Sequence, residues 1–274
     1  MSTESWVVAA PQVIEIETVD ALRVGLVRGR VDVVARDEPG ARIEVDAVDG
    51  RPLEVSLVDG KLRVGYHNTL LSWESFLDDL RSARDLDTAD VHIAVPRDVA
   101  VKLGTVSAEG LLAGVRQGAS VSTVSGSLVT DDTSGALVAN TVSGEICVRD
   151  HAGDLRLNSV SGEMTASGRL ARVAASTVSG PVTLDVTSRS CAIAASSVAG
   201  DVTVRLPAGR GVSREARSVS GRVVVDGQEH KGATPGQVKI NLPADGSCTI
   251  TAKTVSGHLT VLRGPGAPAG PAGA

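Results

Sequence analysis

A four-residue motif, Thr-Val-Ser-Gly or a close variant, recurs at a nearly fixed spacing through the last two thirds of the chain. In its best-kept stretch the motif glycines stand 18 residues apart, at Gly126, Gly144, Gly162 and Gly180. An earlier copy has Ala108 in the glycine place, and later copies end at Gly200, Gly221 and Gly257. A sequence period near 20 residues is typical of stacked repeats, in which each repeat buries its apolar face against the next.

Apolar residues flank each motif glycine at even spacings. With the glycine as position zero, positions +2 and +4 are mostly apolar and position −2 is valine. Because strand side chains alternate between two faces, these positions share one face, which we expect to point inward. The Thr or Ser at −3 and the Ser at −1 are then expected to form outward hydroxyl ladders. The predicted inward valines are Val124, Val142, Val160, Val178, Val198, Val219 and Val255. An aspartate in place of Val160 is accordingly expected to unfold several coils.

A weaker half-repeat lies nine residues after the motif, for example at Ser134-Gly135 and Ala152-Gly153. Two short strands per 18 residues match one coil of a two-sided β-solenoid, with successive coils about 4.8 Å apart. Residues 200–257 fit two longer coils separated by a hydrophilic loop at 226–236. The predicted fold class is all-β: a β-solenoid of about 18-residue coils with an N-terminal antiparallel β meander and one short helix.

The front of the chain carries a different pattern. Residues 12–66 alternate apolar and charged side chains, which predicts strands with one solvated face. Asp49-Gly50 and Asp59-Gly60 suit tight hairpins, so we expect an antiparallel meander. Trp73, Phe76, Leu77 and Leu80 instead follow helical spacing and predict a helix over 72–84. That helix either caps the solenoid or forms a docking surface for a partner made of those four side chains.

Composition supports three segments: a cap over 1–90, the solenoid over 91–262 and a disordered Gly/Pro/Ala tail over 263–274. All four aromatic residues precede position 77. Residues 1–90 carry 18 acidic against 10 basic side chains, and the remainder carries 14 against 17. An acidic front and an aromatic-free rear argue against a nucleic-acid partner. No apolar run is long enough for a membrane span, and the N-terminus lacks the pattern of a signal peptide.

The sequence shows no catalytic, cofactor or metal motif. The cysteines Cys147, Cys191 and Cys248 are odd in number and widely spaced, which favours buried reduced thiols over a zinc site or a disulfide framework. Glu145 and Glu163 stand one repeat apart, and we interpret them as an ordinary polar face rather than a calcium site. The five histidines are scattered: His67, His92, His151, His230 and His258. We therefore expect no catalytic residues, no cofactor and no metal.

The series Thr-Val-Ser-Gly-x-hydrophobic-x-hydrophobic, repeated behind the strand that ends at Val95-Pro96, resembles the putative-adhesin family of bacterial β-strand-repeat proteins, a domain of unknown function. The resemblance covers residues 90–262 strongly and the front weakly. It implies a β-solenoid and no established enzyme activity, and it carries over no catalytic residues. Several relatives in that family are associated with the cell envelope.

These observations leave three hypotheses. The first is a non-enzymatic scaffold or binding protein of the cytoplasm, whose partner is another protein and which serves envelope or regulatory signalling. The second is a surface adhesin exported by an unrecognised route, which places the protein in the cell envelope. The third is a polysaccharide-active β-helix enzyme, which would need a row of acids and aromatic sugar platforms along one face. The sequence does not predict the oligomeric state.

Overall fold

The computed structural model describes residues 3–66, 87–207, 211–218, 222–230, 237–242 and 247–264. Every regular element within these ranges is a β-strand, which confirms the all-β class. The predicted helix over 72–84 lies outside the described residues. Chain contacts divide the protein into two compact units, Met1–Arg149 and Asp150–Ala274. The boundaries at residues 90 and 262 stay predictions.

The first unit consists of fourteen strands, the last of which runs across the unit boundary. They are β1 Thr3–Val8, β2 Gln12–Ile16, β3 Ala21–Leu26, β4 Arg28–Arg36, β5 Ala41–Asp49, β6 Leu53–Val58, β7 Lys61–Gly65, β8 Thr88–Pro96, β9 Ala100–Thr105, β10 Glu109–Ala113, β11 Ala119–Thr123, β12 Leu128–Asp131, β13 Ser134–Thr141 and β14 Ile146–Ser159.

These strands form two rows. One row runs β1-β6-β7-β3-β9-β11-β13 and the other runs β2-β5-β8-β4-β10-β12-β14. The repeat strands pair in parallel at an offset of one motif, as in Val121 opposite Leu103 and Ala139. A side chain added at Gly110 would lie 3.4 Å from Leu103 of the other row, so the inward faces of the two rows meet. The core of this unit lies between them.

The front of the first unit is not the predicted antiparallel meander. β6 and β7 do form an antiparallel hairpin around Asp59-Gly60, whose positive φ angles suit a tight turn. The strands β3 and β4, however, pair in parallel with both their neighbours, and no pairing joins β5 to β6 across Asp49-Gly50. Alternation predicts a half-buried strand but not its partner, because strands of any pairing direction share the same period of two.

The second unit continues with ten further strands. They are β15 Met164–Thr177, β16 Val182–Val186, β17 Cys191–Ser197, β18 Val202–Leu206, β19 Gly211–Ser218, β20 Val223–Val225, β21 Gln228–His230, β22 Gln237–Leu242, β23 Ser247–Thr254 and β24 Leu259–Arg263. The first half of β15 starts the row β15-β16-β18-β24-β20-β21, and its second half starts the row β15-β17-β23-β19-β22.

Like side chains stack on like in the core of the second unit. Val182, Val202 and Leu259 pair along one row, and all three are buried. The strand order does not follow the chain, because β23 lies between β17 and β19 and β24 lies between β18 and β20. The predicted loop at 226–236 also contains a strand, β21, in an antiparallel hairpin with β20.

Cys191 and Cys248 face each other in register on β17 and β23 and form a disulfide, with Cα atoms 4.5 Å apart. The prediction of reduced thiols is therefore wrong for these two residues. Their separation of 57 residues gave no sign of a pairing, because only the out-of-order stacking brings them together. Cys147 is a free, half-buried thiol.

Candidate functional site: the valine-ladder groove

The repeated motif forms a turn, not a continuation of the strand. Thr177 and Ser197 are the last residues of β15 and β17, and the chain bends after each of them. Their hydroxyls point inward and donate to motif carbonyls: Thr177 Oγ1 to Gly180 O at 2.8 Å and Ser197 Oγ to Gly200 O at 2.6 Å. Thr177 and Ser197 at position −3 are thus buried, contrary to the predicted outward direction, whereas the serines at position −1, such as Ser179, are exposed as predicted. The hydrogen bond explains why a polar residue is stable at position −3, since an unpaired buried hydroxyl would cost stability.

The bend also reverses the predicted direction of the motif valines. Val160, Val178, Val198 and Val255 are 47–49% exposed, and Val124 and Val142 are half-buried. The inward assignment of position −2 is therefore wrong, and the expectation that an aspartate at Val160 unfolds several coils loses its premise. The period-of-two argument fails here because the strand ends at position −3 and alternation restarts only after the glycine. Val219 lies outside the described residues.

Backbone hydrogen bonds stack the turns on one another. Val198 N donates to Thr177 O at 3.3 Å, Val255 N to Ser197 O at 3.3 Å, and Ser256 N to Val198 O at 2.9 Å. The exposed valines Val178, Val198 and Val255 consequently form a continuous apolar row, which we call the valine ladder. Strand spacing places its rungs about 4.8 Å apart.

The motif glycines allow this close stacking. Gly180 is buried, and a Cβ added to it would overlap the carbonyl oxygen of Gly162. The same overlap arises between Gly200 and Gly180 and between Gly257 and Gly200. The predicted inward position of the motif glycine, and its role in close approach of the coils, agree with this geometry.

A groove of about 460 Å³ runs beside the valine ladder in the second unit. Its lining consists of Asn158, Ser159, Ser176, Thr177, Val178, Ser196, Ser197, Val198, Lys253, Thr254 and Val255. Ser176, Ser196 and Lys253 point outward from β15, β17 and β23 and pair in register, so they form a polar row parallel to the ladder. Among the described residues of this lining, Lys253 is the charged one.

The groove residues were not predicted, although the sequence carries a signal for them. Counted from the motif glycine, position −4 is Ser or Asn in five successive repeats and basic in the last two: Ser122, Asn140, Asn158, Ser176, Ser196, Arg217 and Lys253. A row of small polar residues lacks the acids, histidines and aromatics that mark catalytic or sugar-binding sites, and it is typical of an ordinary solvated face. Only the turn geometry shows that this row lies beside exposed valines.

The residues predicted as a docking surface, Trp73, Phe76, Leu77 and Leu80, lie outside the described residues. The histidines that the structure describes do not converge. His92 lies 3.2 Å from Asp32 and 3.2 Å from Asp46 on the outer face of the first unit, and His151 is buried in the second. No group of His, Cys, Asp or Glu suited to a metal occurs among the described residues.

One buried polar cluster in the first unit is structural in character. Asp87 is buried and accepts hydrogen bonds from the backbone N of Arg51 at 3.0 Å and from its Nε at 2.8 Å. The Arg51 guanidinium lies 5.5 Å from the centre of the Tyr66 ring. Burial, with a smaller contribution from the charge of Asp87, raises the pKa of Tyr66 to about 12. The cluster ties the end of β7 to the start of β8 and holds its tyrosine neutral.

Comparison with known proteins finds similar structures but no match to a family model or to a curated sequence. No protein-family model matches the chain, and no curated protein matches it in sequence. Its fold is similar to a putative adhesin from Bacteroides fragilis, at 12% identity and a TM-score of 0.49 over 95% of this chain and 97% of that one. It is also similar to a putative cell adhesion protein from Clostridium sporogenes, at 11% identity and a TM-score of 0.35 over 96% and 100% of the two chains.

A third similar structure is a putative lipid binding protein from Parabacteroides distasonis, at 11% identity and a TM-score of 0.41 over 93% of this chain and 97% of that one. At these identities and scores the likenesses carry no argument about function. The described part of the chain contains no helix of the length and apolar character that crossing a membrane requires.

Proposed function

We propose that this chain is a non-enzymatic binding protein that holds an extended segment of a partner protein in the valine-ladder groove. The observation that carries the proposal is the pairing of two parallel rows. The valine ladder offers an exposed apolar wall, and the row Ser176, Ser196, Lys253 offers hydroxyls and one positive charge beside it. Exposed apolar surface with a polar rim is typical of a protein interaction site.

The positive charge in the groove favours a partner segment that carries acidic side chains. Because Lys253 is the charged residue among the described residues of the lining, a ligand with a carboxylate is favoured over one with a cation. An extended peptide places alternate side chains on one face, so its apolar side chains can contact the valines while an acidic one reaches Lys253. The proposed partner segment is therefore extended, apolar on one face and acidic.

We also propose that the repeats of each unit form a β-solenoid. Parallel pairing at an offset of one motif supports this, as in Leu128 opposite Ile146 in the first unit and Leu184 opposite Val204 in the second. Each motif turn adds one coil, and the outward residues of each coil extend the same rows. Such a scaffold suits a binding surface, because its concave and flat faces are long relative to its mass.

The disulfide favours the surface-adhesin form of this function over the cytoplasmic one. Disulfides persist in oxidising compartments and are rare in a reducing cytosol. The Cys191–Cys248 bridge joins two buried residues and thus supports a role outside the cytoplasm. The partner segment would then belong to another surface or extracellular protein.

The test uses a short fluorescent peptide that alternates valine and glutamate, with valine–glutamine and valine–lysine peptides as probes of charge. Fluorescence anisotropy should show that the acidic peptide binds at least tenfold more tightly than the basic one, which is about 1.4 kcal/mol. Val198→Asp and Lys253→Glu should abolish that preference. Matched variants in the first unit, Val142→Asp and Lys102→Glu, should retain it. Equal binding of the three peptides, or equal effects of Val198→Asp and Val142→Asp, would refute the proposed site.

A further inference from the structure

The last coil of the chain is an interior layer of the second unit. We define the C-terminal coil as residues 247–263, which comprise β23 and β24. Its strands lie between β17 and β18 on one side and β19 and β20 on the other. This coil therefore occupies a slot between two coils that precede it in the chain.

Hydrogen bonds hold this coil on both sides of the slot. Towards the earlier coil, Val202 N donates to His258 O at 2.8 Å and Ser256 N donates to Val198 O at 2.9 Å. Towards the outer coil, Leu259 N donates to Arg222 O at 2.9 Å. Its inward side chains, Cys248, Ile250, Ala252, Leu259 and Val261, are all buried. In the described residues, the coil thus pairs with both sides of the slot along β23 and along β24.

The noncovalent contacts of the coil do not depend on which chain supplies it, and one short connection ties the coil to the outer side of the slot. Only four residues separate Leu242, the end of β22, from Ser247, the start of β23. All other contacts of the coil described above are between strands, and an identical coil from a second copy would make them equally well. Exchange of an identical element between copies is a low-cost route to association, and repeat proteins are prone to it.

We propose that the C-terminal coil can be supplied in trans by a second copy of this chain, and that the Cys191–Cys248 bridge then joins the two copies covalently. Oxidation removes one hydrogen from each of the two thiols and forms the Sγ–Sγ bond. A low-molecular-weight disulfide such as oxidised glutathione accepts both electrons and both protons and is cleaved to two thiols. Reciprocal exchange closes a dimer, whereas one-way donation produces a linear chain of copies.

This inference does not depend on the proposed function of the groove. Its biological value would be multivalency, since joined copies present several grooves at once and raise avidity without any new contact. The bridge would also make the assembly resistant to dilution until a reductant is present.

The decisive experiment mixes wild-type protein carrying ¹⁴N with wild-type protein carrying ¹⁵N. The mixture is reduced with dithiothreitol under native conditions, reoxidised with oxidised glutathione and digested without reduction. Mass spectrometry then identifies the linked peptide pair that contains Cys191 and Cys248. We expect mixed ¹⁴N–¹⁵N pairs whose share rises with protein concentration, and no mixed pairs in a sample mixed without reduction. Linked pairs of a single isotope at every concentration would overturn the proposal.

Cysteine complementation provides an independent measurement. In a Cys147→Ser background, a Cys191→Ser chain can supply only Cys248 and a Cys248→Ser chain can supply only Cys191. Co-refolding of the two should give a covalent dimer on non-reducing gels, linked between Cys191 and Cys248. Either variant alone should stay monomeric under the same oxidant, which excludes other linkages. Circular dichroism confirms that both variants fold, and folded chains that remain monomeric when mixed would contradict the exchange.

Discussion

Two valines six residues apart offer a direct test of the motif geometry. Val198 belongs to the motif turn and is 48% exposed, whereas Val204 lies in β18 and is 0% exposed. The change Val→Asp is chemically the same at both positions, so any difference in stability between the two variants arises from the different burial of the two side chains. The sequence pattern placed both valines on the inward face; the structure keeps only Val204 there.

The two variants are expected to lose several-fold different amounts of the free energy of unfolding. Full burial of a valine is worth about 1.5 kcal/mol, so the half-exposed Val198 can lose at most about 0.8 kcal/mol. Val204→Asp loses the full apolar burial and also places a carboxyl group in the core, at a further cost of several kcal/mol. That sum approaches the whole stability of a typical domain, about 5–15 kcal/mol.

Urea unfolding followed by circular dichroism measures both free energies of unfolding. Val198→Asp should leave the midpoint close to that of the wild type, and Val160→Asp should behave alike because it is equally exposed. Val204→Asp should unfold the second unit at or near zero urea. If the urea midpoint falls equally for Val198→Asp and Val204→Asp, the turn geometry is refuted and the inward assignment of position −2 is restored.

Three further predictions concern stability and titration. Reducing the Cys191–Cys248 bridge should lower the free energy of unfolding of the second unit by about 4 kcal/mol on the chain-entropy estimate for its 57-residue separation, and equal urea midpoints with and without reductant would contradict this. Gly180→Ala should destabilise by more than about 1 kcal/mol because its Cβ meets the backbone of Gly162, whereas Gly104→Ala, whose nearest atom is 3.8 Å away, should be neutral or slightly stabilising in the same urea assay. Tyr66 is the only tyrosine, so absorbance at alkaline pH should show ionisation near pH 12 in the folded protein and near its ordinary value of about 10 in urea. Because the folded pKa is the higher one, the contribution of Tyr66 to stability is complete below about pH 10 and is lost as the pH rises towards 12; ionisation at the same pH in both states would disprove the burial of its hydroxyl.

Much of the repeat architecture was predictable, and the reason is its regularity. The 18-residue spacing predicted two strands per repeat and like residues stacked on like, as in Leu128 on Ile146. The candidate site was not predicted. The polar row of the site can be recognised in the sequence from the residues at position −4. Its apolar wall, however, requires Val178 and Val198 to face solvent, whereas strand alternation assigns both valines to the core. A hydrogen bond from Thr177 to Gly180 decides that orientation, and a sequence pattern does not show it.

The sequence by itself determined the all-β class, the length of a repeat and the need for glycine in each turn, because these follow from local geometry and from a period that every copy repeats. Tertiary structure alone decided which copy stacks on which. The repeats that end at Gly200, Gly221 and Gly257 carry nearly the same sequence motif, so any of them satisfies the same local rules. Contacts between strands far apart in the chain place the last coil between the other two, and with it the disulfide and the slot that receives it.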